Sequence, residues 1–197
     1  MISIVLVMCS IVILCVSGFP AYFFSPRSTN GQIFSSTLLL IGAGIGISGV
    51  ILSIMSGIIV QYNHEWFLPW GSFRICIDPL SCVFLLPVFI VPSMGTLYSL
   101  SYWSQRLHPE NGKRLGVFYG LLAGGMALVV VAQDSVLFII AWEVMALAAF
   151  FASTAEDHIQ QVRQAGWIYI VATHIGTLCL FAMFALWKSS TGSFALV

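Results

Sequence analysis

Six apolar runs, each close to or above the length needed to cross a bilayer, divide this 197-residue chain at roughly 2–24, 33–60, 78–103, 115–133, 135–153 and 166–187. A helix rising 1.5 Å per residue needs about 20 apolar residues to span the hydrocarbon core. Charged residues make up 7% of the chain, against about a quarter in a soluble domain, so no water-facing surface can be built from it. The expected fold is an all-α membrane protein, a bundle of about six transmembrane helices. The first run lacks the basic flank of a signal peptide and exceeds its length, so it reads as a retained spanning helix. The second and third exceed the minimum and are expected to tilt or to extend past the membrane.

Organisation follows from the gaps. Residues 1–64 hold helices 1 and 2, residues 65–77 read as an interfacial loop or short hairpin rich in aromatic and turn residues, and residues 78–197 hold helices 3 to 6, all in a single membrane domain. The connection at Gln133-Asp134 is so tight that helices 4 and 5 are expected to be antiparallel neighbours. Arg27, Arg106, Lys113, Arg114 and Arg163 fall on one side of the bundle, and Arg74 and Lys188 on the other. Five against two places the first set in the cytoplasm and the amino terminus outside.

The remaining composition excludes more than it suggests. A formal net charge of zero gives no basic surface for nucleic acid. Cys9, Cys15, Cys76, Cys82 and Cys179 are scattered through apolar runs without a C-x-x-C. His64, His108, His158 and His174 stand at no metal-ligand spacing from them. No metal ligand, cofactor site or catalytic residue is expected. The stretch GIGISG at 44–49 matches the dinucleotide fingerprint, but it lies inside an apolar run with no preceding strand. Gly42 and Gly46, and Gly116, Gly120 and Gly124, instead make small-residue rows suited to close helix contact.

The stretch FIIAWEVMALAAFF at 138–151 carries the chemistry. Glu143 lies about 12 Å along helix 5, near the bilayer centre, where an unpaired charge costs roughly 3 kcal/mol or more. Helix 5 holds no basic residue to pair with it. His174 on helix 6 is the second intramembrane ionisable group, at a depth comparable to Glu143, and Thr173 and Thr177 add hydroxyls beside it. A Glu–His contact across helices 5 and 6 is geometrically open. One reading is a proton relay through Glu143, His174, Thr173, Thr177 and water. The other is a protonated glutamic acid hydrogen-bonded for helix packing, with the histidine as satisfied structure. Asp78 before Pro79 and Asp134 before helix 5 read as helix caps, with a relay role as the alternative. Glu156, Asp157 and His158 read as a solvated loop.

These residues carry a resemblance. FIIAWEVMALAAFF resembles the Trp-Glu helix of the antiporter-like membrane subunits shared by respiratory complex I, membrane-bound hydrogenases and multi-subunit cation/proton antiporters. RICIDPLSCVFLLPVFIVPSMGTLYSLSYW resembles the helix-3 region of the same subunits. AWEVMAL followed by YIVATHIGTLCLFAMF is similar to the group-4 hydrogenase branch, that of hydrogenase 4 component B and the formate hydrogenlyase membrane subunit. The resemblance covers about residues 65–187.

It implies the N-terminal six helices of a subunit with about 14, roughly a third to two-fifths of a family member. It implies partners as well: other membrane subunits and a peripheral redox module carrying NiFe and iron–sulfur centres, at the inner membrane of a prokaryote. Glu143 matches the family's helix-5 glutamate, which exchanges protons with a lysine on the following helix; these 197 residues stop short of that lysine. Ala149 and Phe150 stand where many relatives carry Ser-Tyr. A non-conducting membrane anchor held to its partners through the glycine rows, and a stand-alone cation/proton antiporter component, are the competing functions.

Overall fold

The computed structural model describes residues 1–25, 29–66, 71–109 and 111–196. Among them six long helices form: α1 (Ile2–Val16), α2 (Asn30–Ser56), α3 (Pro79–Tyr102), α4 (Gly112–Val131), α5 (Ser135–Ser153) and α6 (Gln160–Thr191). With the 3₁₀ turn that follows α1 counted in its span, all six are long and apolar enough to cross a membrane. Two short strands, β1 (Val60–His64) and β2 (Phe73–Ile77), pair antiparallel with Val60 opposite Ile77 and His64 opposite Phe73.

Three boundaries differ from those read off hydropathy, each for a local reason. Helix 1 stops at Val16, and the apolar residues beyond it wind into a 3₁₀ turn at Phe19–Phe23 with Pro20 in its first turn, because proline cannot donate to the preceding turn. Helix 2 ends at Ser56. There Gly57 takes a left-handed conformation (φ 62°) and its N–H returns to the carbonyls of Ser53 and Ile54, the usual glycine stop. Ile58 and Ile59 therefore leave the helix, and the hairpin begins at Val60 rather than 65. Helix 6 starts at Gln160, six residues ahead of the apolar run. Its polar first turns continue the helix out of hydrocarbon, giving about 48 Å of length.

Asp78 and Asp134 both act as caps. Asp78 Oδ1 accepts from the Ser81 N–H at 2.6 Å, with Pro79 opening α3. The Ser81 hydroxyl and N–H hold the Asp78 carboxyl below the usual range. Asp134, 2% exposed, accepts from the N–H groups of Val136 (2.9 Å) and Leu137 (3.4 Å) and from the Ser72 N–H (3.1 Å). It thus caps α5 and pins the hairpin to the α4–α5 connection. Replacing Asp134 with alanine removes these acceptors, and a lost N-cap alone costs about 1–2 kcal/mol. The expected result is a lower melting temperature in detergent with faster proteolysis in 61–72. An unchanged protein would mean the cap is dispensable.

Packing follows the small residues. A Cβ on Gly120 would stand 2.5 Å from the Leu14 carbonyl oxygen, and one on Gly46 would stand 2.5 Å from Ser10 Oγ and 2.6 Å from the Phe89 ring. Gly42 and Gly46 of α2 and Gly120 and Gly124 of α4 are therefore covered from inside the chain, mainly by α1, which lies between the two helices, while a Cβ on Gly116 would meet nothing within 4 Å. The core at this junction holds Val7, Leu14, Val50, Leu85, Phe89 and Val131, each at most 1% exposed. Helices 4 and 5 are antiparallel neighbours, with Gly125 against the backbone of Met145.

The connections alternate between two ends. At one, Lys113 donates to the Phe24 carbonyl, and Arg114 reaches Asp157 at 2.9 Å and the Thr154 carbonyl at 2.8 Å. The same guanidinium holds the exposed Asp157 carboxyl below the usual range. At the other end, the Gln133 N–H donates to Arg74 O (2.9 Å) and the Ser135 N–H to Phe194 O (2.9 Å). Arg27 lies outside the described residues.

Candidate functional site

Glu143 lies near the middle of α5, half-buried. Its neighbours one turn away, Ile139 and Ala146, are buried at 9% and 7% exposed. The same face continues to Phe150 and Thr154, and a Cβ on Gly166 of α6 would meet Thr154 Cγ2 at 2.5 Å and Phe150 Cε2 at 3.2 Å. The Glu143 face is therefore the one that α6 covers. Above it, Phe138 meets Phe184 of α6 edge-on at 5.6 Å.

These two contacts set the α5–α6 register. In antiparallel helices the residue numbers of facing positions sum to a constant, here 316 to 322, which places α6 residues 173 to 179 level with Glu143, with Thr177 the buried one among them. Thr177 is 5% exposed. Among the described residues of α6, Gly166, Thr177 and Phe184 are the buried ones. Their spacings of 11 and 7 keep them on one side of the helix.

His174 stands elsewhere. It is exposed and its Nδ1 lies 2.9 Å from the Ile170 carbonyl oxygen of its own helix. Three residues from Thr177, it lies to the side of the α5-facing stripe. No hydrogen bond or ion pair joins Glu143 to His174, or to any other described residue. The threonines are turned to their own backbone: Thr173 Oγ1 donates to Tyr169 O or Ile170 O (3.0 Å each), and Thr177 Oγ1 to Thr173 O (3.1 Å). Each hydroxyl keeps its acceptor lone pairs, so it can still receive a proton donor.

So the group of four expected from the sequence divides. Glu143 and Thr177 share a level on one seam, Thr173 lies a turn away beside it, and His174 faces outward. Asp78 is held in the cap of α3, and Asp134 in the cap of α5, at the end of that helix rather than at the level of Glu143. Sequence reading passes over the indole of Trp142, next to Glu143. Its Nε1–H is buried and makes no bond to a described residue, while its ring stacks on Phe138 at 6.1 Å. The tryptophan type, a donor with an apolar body, is the available signal. No three His, Cys, Asp or Glu side chains gather as a metal cage among the described residues.

No protein-family profile matches the chain. Individual proteins do. Hydrogenase-4 component B of Escherichia coli is 23% identical over 154 residues, covering 78% of this chain and 23% of its own. One component of the Na(+)/H(+) antiporter of Alkalihalophilus pseudofirmus is 25% identical over 147 residues, covering 74% of this chain and 18% of its own. Among solved structures, the Mrp complex from Dietzia sp. DQ12-45-1b superposes with a TM-score of 0.73 at 23% identity, over 99% of this chain and 20% of that one. The chain thus spans about a quarter or less of each of these relatives, a smaller share than the resemblance implied. NADH-ubiquinone oxidoreductase chain 5 of Cryptococcus neoformans is another relative. The six-helix fold and these relatives agree: the chain is similar, in sequence and in fold, to the antiporter-like membrane subunits of complex I, Mrp and hydrogenase-type assemblies.

Proposed function

We propose that this chain works in a proton-translocating membrane subunit of a hydrogenase or formate hydrogenlyase-type oxidoreductase, with Glu143 as its proton-exchanging carboxylate. The observation that carries this reading is the placement of Glu143: an ionisable side chain midway along a spanning helix, on the face against α6, with no bond to any described residue. A carboxylate used for packing would sit in hydrogen bonds that satisfy it. One that exchanges protons needs access to donors and acceptors that come and go. The partnerless Trp142 indole beside it and the acceptor lone pairs of Thr177 opposite offer a water chain anchorage on both helices. His174 would serve that chain from the outer face of α6, through further helices packed there, rather than by touching Glu143.

On this reading the partners are other membrane subunits and a peripheral redox module carrying NiFe and iron–sulfur centres. The bundle sits in the inner membrane of a prokaryote with its amino terminus outside. The chain itself performs no covalent catalysis; the redox module supplies the driving force. A second reading, an antiporter component needing no redox partner, is favoured by the likeness to the Na(+)/H(+) antiporter.

The two separate in vesicles containing the purified native complex. Proton uptake that starts on adding the electron donor and ignores sodium supports the first. Proton exchange driven by a sodium gradient with no donor moves the assignment to the second. Neither activity would remove ion translocation altogether.

A further inference from the structure

A cavity of about 190 Å³ lies among α2, α3 and α4, closed on one side by Ser17 and Ala21 beyond the end of α1, and away from the Glu143 seam. Three buried polar atoms that make no hydrogen bond to a described protein group belong to residues lining it: Ser35 Oγ, Thr96 Oγ1 and Trp103 Nε1. Among the described residues there are six such atoms in all, so half of them gather around this one space. Ser35 is 9% exposed and Thr96 4%.

The packing of α2 on α3 shows how they meet. Gln32 Nε2 donates to the carbonyls of Ser99 (3.1 Å) and Trp103 (3.0 Å), while Gln32 Oε1 accepts from the Gln105 N–H (2.9 Å). Gln32 opposite Ser99 puts Ser35 opposite Thr96, one turn further in. The two hydroxyls share a level yet do not bond to each other, and Trp103, whose ring stacks on His108 at 3.7 Å, lies two turns along the chain from Thr96 at the Gln32 clamp.

The chemistry of an occupant follows. Among the described residues lining the space no side chain carries a charge, so an ion would lie uncompensated there. A purely apolar occupant such as a lipid chain would leave all three polar atoms unmet. A hydroxyl oxygen suits each of them, since it accepts from the indole N–H and both donates to and accepts from Ser35 and Thr96. The space holds several waters at the 10–15 Å³ that each requires. Leu39, one turn beyond Ser35 and 4% exposed, supplies an apolar wall. We infer that this cavity binds uncharged hydroxyl oxygens between Ser35, Thr96 and Trp103, either as a water cluster or as the hydroxyl of a small alcohol.

Hydroxyl-radical footprinting of the full native protein in lipid nanodiscs tests this, because radicals formed from bound water label the side chains beside it. Leu39 is expected to label about tenfold faster than Ile11, which is equally buried at 4% exposed but outside the cavity. Thr96→Val, alone and with Ser35→Ala, keeps side-chain bulk and should cut the Leu39 label severalfold. Added benzyl alcohol distinguishes the sources: a fall in the wild-type ratio of Leu39 to Ile11 label shows that an alcohol shares the site, and an unchanged ratio leaves water as the occupant. A Leu39 rate no higher than that of Ile11 overturns the inference. So does a higher melting temperature in the Thr96→Val protein, since replacing an unmet hydroxyl by a methyl stabilises. Glu143→Gln should leave the Leu39 label unchanged, so this site and the proton path stand or fall separately.

Discussion

Glu143→Gln should abolish donor-driven proton uptake while leaving the subunit folded and in its complex. Glutamine keeps the length and hydrogen-bonding capacity of glutamic acid but cannot take up or release a proton. A proton passing that level would then rest on water alone in low dielectric. Even about 3 kcal/mol of added cost slows such a step by roughly two orders of magnitude. Folding should survive, because Glu143 bonds to no described residue and its neighbours Ile139 and Ala146 carry the packing of that face. Glu143→Asp, which retains the ionisable group on a shorter arm, should recover part of the uptake, and a purely packing role predicts no such order. Internal pH in vesicles is the readout, with complex content checked by subunit ratio. Full uptake in the glutamine variant would assign Glu143 to packing.

The asymmetry between Glu143 and His174 shows where sequence reading reaches its limit. Counting from the ends of hydropathy runs places both, and that count works only while the run and the helix share an end. For helix 5 they do: the run 135–153 coincides with Ser135–Ser153, since Asp134 caps one end and the polar loop closes the other. For helix 6 they do not. Gln160, Gln161, Arg163 and Gln164 are polar but helical, and hydropathy is blind to a helix that continues into water. The face is also undetermined from sequence, because which side of α6 meets α5 depends on Gly166 fitting over Thr154. That contact is between helices, whereas periodicity is a property of one helix. Gly57 is the opposite case: a glycine after an apolar run is a stop signal that hydropathy alone overrides, although the left-handed cap at φ 62° is what glycine is suited to.

The glycine rows are legible in the sequence as contact surfaces but their partner is not, and this changes what a substitution should do. With the row facing outward, Gly120→Leu would release a neighbouring subunit. In the structure the row faces α1. A Cβ at Gly120 would already stand 2.5 Å from both Leu14 O and Ser17 Oγ, and one at Gly124 3.1 Å from Ile11 O. Backbone carbonyls cannot rotate away as a side chain does, so a leucine there must force α1 from α4. Overpacking of this kind costs about 1–3 kcal/mol, and more where backbone must move. The expected result is a large fall in the melting temperature of the solubilised subunit, seen even when no partner is present. Gly44→Leu is the matched control, since a Cβ there meets nothing within 4 Å and leucine is the better helix former; its melting temperature should hold or rise. A Gly120→Leu subunit that melts normally but loses its partners would instead return the row to an intersubunit surface and revive the anchor function. Loss of the fold ties α1 to α4 and leaves the exposed flank of α6, where Trp167, Ile168, Val171 and Ile175 are all more than half exposed, as the side on which further helices can pack.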